Sequence, residues 1–125
     1  MNIQKNIDYS EMYAALDQIM EVRMSQMELY CEIGKAVCQR CEKGAAVAAA
    51  TYLSQHYPDV HGFSPRNLRR MRDFYRAYEE QPVLLSLALQ IGWTQNVVIM
   101  EADLSMEQLK WYLKAKYSLA GLKQS

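Results

Sequence analysis

The chain has 125 residues, 50% of them hydrophobic and 22% charged, with 14 Lys and Arg balancing 14 Asp and Glu. This is ordinary composition for one globular domain, and at such a length roughly two-thirds of the unfolded surface can be buried without disulfides or a structural metal. The longest apolar runs, 44–50 and 97–100, are far too short to cross a membrane, and the polar start Met1-Asn2-Ile3-Gln4-Lys5 does not read as a signal peptide; the expectation is a cytoplasmic protein with reduced thiols.

Scarce, clustered glycines and prolines divide the chain into segments that all read as helix. In 8–42, Tyr13, Leu16, Met20, Met27, Tyr30, Gly34, Val37 and Cys41 recur at spacings near three and four. That pattern predicts one long helix or two nearly collinear ones, about 50 Å end to end, with Gly34 marking a close helix crossing or a kink. An apolar stripe of that length extends beyond a small core, so the segment is expected to pair with a second copy of the chain.

Cys31, Cys38 and Cys41 fall on the same stripe. Cys38-x-x-Cys41 has ligand-like spacing, and His56 or His61 could complete a set, but zinc pairs usually sit on turns. Cysteine in a helical stripe packs as a small hydrophobe, so neither a metal site nor a cofactor is expected. The alanine-rich segment from Ala45 to Tyr57 permits close helix approach and stops at Pro58. After the turn Pro58-Asp59-Val60-His61-Gly62-Phe63, Ser64-Pro65 reads as an N-cap and first helical residue. Helices then follow from Pro65 to about Glu79, from Pro82 to Ile91 and from Thr94 to Glu101. The last opens on the capping box Ser105-Met106-Glu107-Gln108 and runs to about Tyr117. The fold expected over 1–125 is a single all-α domain in three parts: 8–42, a variant helix-turn-helix at 45–78, and short helices at 82–117.

Neutral overall charge hides a reversal along the chain. Residues 1–60 hold five basic and eight acidic groups, whereas 61–78 hold Arg66, Arg69, Arg70, Arg72 and Arg76 against Asp73 alone. On a helical wheel Leu68, Met71, Phe74, Tyr75 and Tyr78 share one face and the arginines lie opposite. A local basic patch on a neutral protein points to an anionic partner, and the planar guanidinium fork suits phosphate oxygens or a guanine edge. The expected partner is duplex DNA, held by Arg66, Asn67, Arg69, Arg70 and Arg76. Arg66, Asn67 and Arg70, nearest the helix N-terminus, are the candidates for base edges. The competing reading is a solvated basic face ion-paired with the acidic first segment. No phosphate loop, nucleophile elbow, His-Glu-x-x-His run or spaced carboxylate cluster occurs, so no enzyme is expected.

Several blocks together resemble a known family. They are 29–34, Tyr57-Pro58, Gly62-Phe63-Ser64-Pro65-Arg66-Asn67-Leu68, Met71-Arg72-Asp73-Phe74-Tyr75, Ala77-Tyr78, Trp93-Thr94-Gln95-Asn96 and Trp111-Tyr112. Over about two-thirds of its length the chain is similar to the N-terminal helical domain of the YhcG-like bacterial proteins, which usually precedes a PD-(D/E)xK nuclease domain. Cys31 stands where that family commonly has tryptophan, Gln95 where it has histidine, and no Gly-Trp-Gly turn occurs near Lys43-Gly44-Ala45. The resemblance implies a DNA-binding or targeting module without the nuclease carboxylates. The alternatives are a dimerisation module that joins a nuclease-bearing protein, or an inhibitor of one. Asn96 is expected to be structural, tying its turn to neighbouring backbone.

Overall fold

A computed structural model describes residues 7–124, with side chains through Ser118; the polar start at 1–5 lies outside the described residues. Among the described residues every regular element is a helix and there is no strand. In chain order these are α1 (Ser10–Glu21), α2 (Gln26–Cys38), α3 (Ala45–His56), α4 (Pro65–Tyr78), α5 (Pro82–Ala88), α6 (Trp93–Glu101) and α7 (Met106–Gln124).

Of the two forms expected for 8–42, the helical pair is found, but it is antiparallel rather than collinear. α1 ends where Val22 turns extended, with φ −92° and ψ 133°. α2 restarts on Ser25, whose Oγ accepts from the Glu28 N–H at 3.2 Å. Beyond the far end of α2, Arg40 Nη1 donates to the Asp8 carbonyl at 3.0 Å, and its guanidinium lies 4.9 Å from the centroid of the Tyr9 ring. Collinear helices would hold those residues about 48 Å apart at 1.5 Å per residue. Folding back buries Met12, Leu16 and Tyr30 in one cluster, and Met27 is covered by residues of the later helices. The stripe that called for a second copy is therefore largely covered internally.

Asp17 fastens this hairpin to α3. Its carboxylate accepts from the hydroxyls of Tyr52 at 2.6 Å and Tyr57 at 2.7 Å, and Tyr13 stacks on Tyr52 with ring centroids 4.2 Å apart. These charge-assisted bonds hold the Asp17 carboxyl below its ordinary pKa and push the Tyr57 hydroxyl up to about 12.

α4 packs chiefly across α2 and then against α3. The crossing of α2 and α4 admits no side chain at Gly34, because a Cβ there would lie 2.1 Å from the Met71 carbonyl oxygen. The glycine thus marks a close crossing, one of its two expected roles. Leu68, Met71, Phe74 and Tyr78 are buried as the wheel predicts. The first two join Leu16, Ile33, Val37, Ala49 and Leu53 in one apolar cluster, while Phe74 and Tyr78 join Met27, Cys31, Leu84, Ile99 and Leu113 in a second. Trp93 packs against both, edge-on to Tyr30 at 5.0 Å and to Phe74 at 5.8 Å.

The C-terminal helices follow the predicted order with shifted ends. α5 stops at Ala88 rather than Ile91, and the buried Asn96 Nδ2 donates to the carbonyls of Ala88 and Gly92, each at 3.0 Å. This is the structural tie expected of Asn96. α7 opens on the expected capping box: Ser105 Oγ accepts from the Gln108 N–H at 3.2 Å, and Gln108 Oε1 accepts from the Ser105 N–H at 3.0 Å.

Candidate nucleic-acid interface

The arginine helix starts where the sequence places it. Ser64 Oγ accepts from the Asn67 N–H at 3.1 Å, and Pro65 occupies the first turn, where its missing N–H costs no bond. α3, the connecting residues 57–64 and α4 follow in the chain order expected of the variant helix-turn-helix, with α4 lying mainly on α2. With Leu68, Met71, Phe74 and Tyr78 fixed inward, the spacing 66, 69, 73, 76 sends Arg66, Arg69, Asp73 and Arg76 outward in one row, and all four are exposed.

The five candidate residues divide. Arg66, Arg69 and Arg76 are exposed and make no ion pair among the described residues. Asn67 does not face solvent in the way base reading requires. Its Nδ2 donates to the Gly62 carbonyl at 2.7 Å and its Oδ1 accepts from Trp93 Nε1 at 2.9 Å, so both ends of the amide are engaged within the fold. Gly62 adopts φ +99°, and a Cβ there would lie 2.3 Å from the Tyr30 hydroxyl, so the turn that Asn67 holds is confined to glycine. Arg70 also departs from the expected role. Its Nη2 pairs with Glu101 Oε1 at 2.7 Å, and it lines a cavity of about 370 Å³ with Asp73, Glu101 and Asp103. Three carboxylates around one guanidinium disfavour a phosphate there.

A residue outside the candidate set joins the surface instead. Lys43, from the connection between α2 and α3, lines a groove of about 490 Å³ with Cys41, Glu42, Arg69, Arg72 and Arg76. Glu42 is occupied by Arg40, which donates Nη2 to Oε1 at 2.9 Å and Nε to Oε2 at 3.1 Å. Arg72 pairs with its neighbour Asp73 at 3.1 Å. Lys43, Arg66, Arg69 and Arg76 are left as four cations from two segments. Lys43 lies 26 residues before Arg69 in the chain, so only the packing of α4 on α2 brings them together.

The three cysteines separate equally clearly. Cys31 is buried, and burial pushes its thiol up to about 11. Cys38 is half-buried, with Sγ donating to the Arg72 carbonyl at 3.4 Å. Cys41 departs from the expected stripe: α2 has ended at Cys38, and Cys41 is exposed. His56 stacks on Tyr52 with centroids 4.1 Å apart, and His61 is exposed. Among the described residues no group of three or more His, Cys, Asp or Glu could hold a metal ion.

Residues 3–121 match the model of the DUF1016 N-terminal domain, which covers nearly the whole chain. The chain belongs to this family. It is the N-terminal domain of the YhcG-like proteins, as the sequence blocks around Gly62 and Trp93 imply. No curated protein and no solved structure matches the chain. Within this DUF1016 domain the block 62–68 combines two tasks: Gly62, Phe63, Asn67 and Leu68 build the turn and core, while Arg66 faces outward. No helix among the described residues is long and apolar enough to cross a membrane.

Proposed function

We propose that this domain is a non-enzymatic module that holds the phosphate backbone of duplex DNA on Lys43, Arg66, Arg69 and Arg76. The observation that carries the reading is the grouping of these cations: Arg66, Arg69 and Arg76 lie in one exposed row on α4, Lys43 lines a groove with Arg69 and Arg76, and none of the four is matched with a carboxylate among the described residues, whereas Arg40, Arg70 and Arg72 beside them are. With Asn67 bonded within the fold and Arg70 paired with Glu101 at the surface, the face suits backbone contact more than base reading. Each phosphate contact releases condensed counterions, so four contacts correspond to a slope of roughly −3 to −4 in log K against log salt. Titration of a labelled duplex across a salt series tests this. Absence of binding at about 50 mM salt, where such contacts are strong, would overturn it.

A second reading, protein association, is favoured by large apolar side chains on the C-terminal helices: Val83 on α5 is 72% exposed, Val98 on α6 61% and Trp111 on α7 67%. An exposed tryptophan of that extent is the kind of residue that anchors interfaces. A second copy of the chain or a nuclease-bearing partner would then dock on α5–α7 rather than on the N-terminal hairpin. Sedimentation that gives twice 14.5 kDa would support the homodimer.

A further inference from the structure

The groove beside Arg69 holds one feature that phosphate binding leaves unused, the exposed Cys41 thiol. Lys43, Arg69 and Arg76 line that groove with it and make no ion pair among the described residues, while Arg72 there is paired with Asp73 and the Glu42 carboxylate is bonded to Arg40. We infer that Cys41 is a modification site for small net-negative disulfides, which the surrounding cations collect and orient.

The chemistry is thiol–disulfide exchange. The Cys41 thiolate attacks one sulfur of the incoming disulfide, a Cys41–sulfur bond forms, and the original S–S bond breaks. The departing thiolate takes up a proton, so Cys41 is oxidised and half of the disulfide is reduced. Cations at the rim raise the local concentration of an anionic reagent and steady the negative charge on the leaving sulfur. Selectivity among the thiols follows from position. Cys31 is buried in the C-terminal core cluster, and Cys38 is half-buried beneath α4 with its sulfur bonded to Arg72. A glutathionyl group on Cys41 would place its carboxylates among the cations proposed to hold phosphate, and so compete with DNA. That consequence rests on the nucleic-acid reading; the exchange itself does not.

The test compares glutathione disulfide, neutral 2-hydroxyethyl disulfide and cationic cystamine, each rate being divided by that of the same reagent with an unstructured cysteine peptide. Intact mass and peptide mapping should show one adduct, on Cys41, and none in Cys41→Ser. The normalised rate with glutathione disulfide should exceed that with cystamine by about ten-fold or more at low ionic strength. The ratio should fall toward one in about 1 M salt. Arg69→Ala with Arg76→Ala should slow the anionic reagent several-fold more than the neutral one, a contrast that loss of folding cannot produce. Normalised rates indifferent to charge, or a first adduct on Cys31 or Cys38, would overturn the inference. Unmodified protein that fails to bind duplex while the charge ranking persists removes the DNA reading and leaves the exchange standing. Binding that survives full modification removes only the proposed competition.

Discussion

The indole N–H of Trp93 donates to Asn67 Oδ1 at 2.9 Å, a bond that joins α6 to the first turn of α4 across 26 residues of sequence. The same amide donates to Gly62, so one side chain holds the turn before α4 and the helix that bridges the two core clusters. Asn67→Ala leaves a part-buried indole N–H and a carbonyl without partners. It should cost roughly 1–3 kcal/mol, read as a lower melting temperature. Duplex affinity measured well below the melt should be nearly unchanged. Normal stability with weakened binding would return Asn67 to the interface.

Substitution at Gly34 tests the helix crossing. Gly34→Ala forces a methyl against the Met71 carbonyl, which is backbone and cannot swing aside. The expected loss is about 1–3 kcal/mol or more in denaturant unfolding. Gly92→Ala meets nothing within 4 Å, and as an N-cap change it should cost under about 1 kcal/mol.

Charge removal should sort the arginines by their partners. Arg69→Ala together with Arg76→Ala should flatten the salt dependence of duplex binding by about one to two units of slope. Arg70→Ala, which removes a guanidinium bonded to Glu101, should leave the slope nearly unchanged. Equal effects from both variants would contradict the division drawn between them.

The Asp17 carboxylate sets a pH response. Its pKa is lowered in the folded protein by the Tyr52 and Tyr57 hydroxyls, so the bonds contribute fully above the unfolded carboxylate value of about 3.9. They are lost as pH falls through the lower folded value. Tyr57 has the opposite sign: raised to about 12, it contributes below its unfolded value of about 10 and loses that contribution as pH climbs toward 12. Asp17→Asn should therefore lower the melting temperature at neutral pH and shrink its further fall below about pH 4. Parallel melting curves for the two proteins across that range would refute the assignment.

Local signals in the sequence located most helix starts. Ser64-Pro65 and Ser105-x-x-Gln108 both cap as their spacing predicts. Ser25-Gln26-Met27-Glu28 has the same capping spacing and marks the break that separates α1 from α2. The continuous apolar period across 8–42 masks it, because a stripe can persist through a fold-back when both helices face one core. The candidate site was legible only where exposure decides it, at Arg66, Arg69 and Arg76. Asn67 and Arg70 take partners 26 and 31 residues away, and Lys43 enters through tertiary packing, so no spacing rule reaches them.

The close seat of Met71 on Gly34 also bears on the order in which the domain is made. The two residues lie 71 − 34 = 37 positions apart, so on a ribosome adding 5–20 residues per second α2 leaves the exit roughly two to seven seconds before its partner carbonyl. During that interval the α1–α2 hairpin can close, but the groove over Gly34 stays open to water. Lys43 and Cys41 emerge with their arginine wall still unbuilt. The cationic surface is consequently a late product of translation, and a nascent chain halted before Arg66 would carry the thiol and Lys43 without the arginines that later surround them.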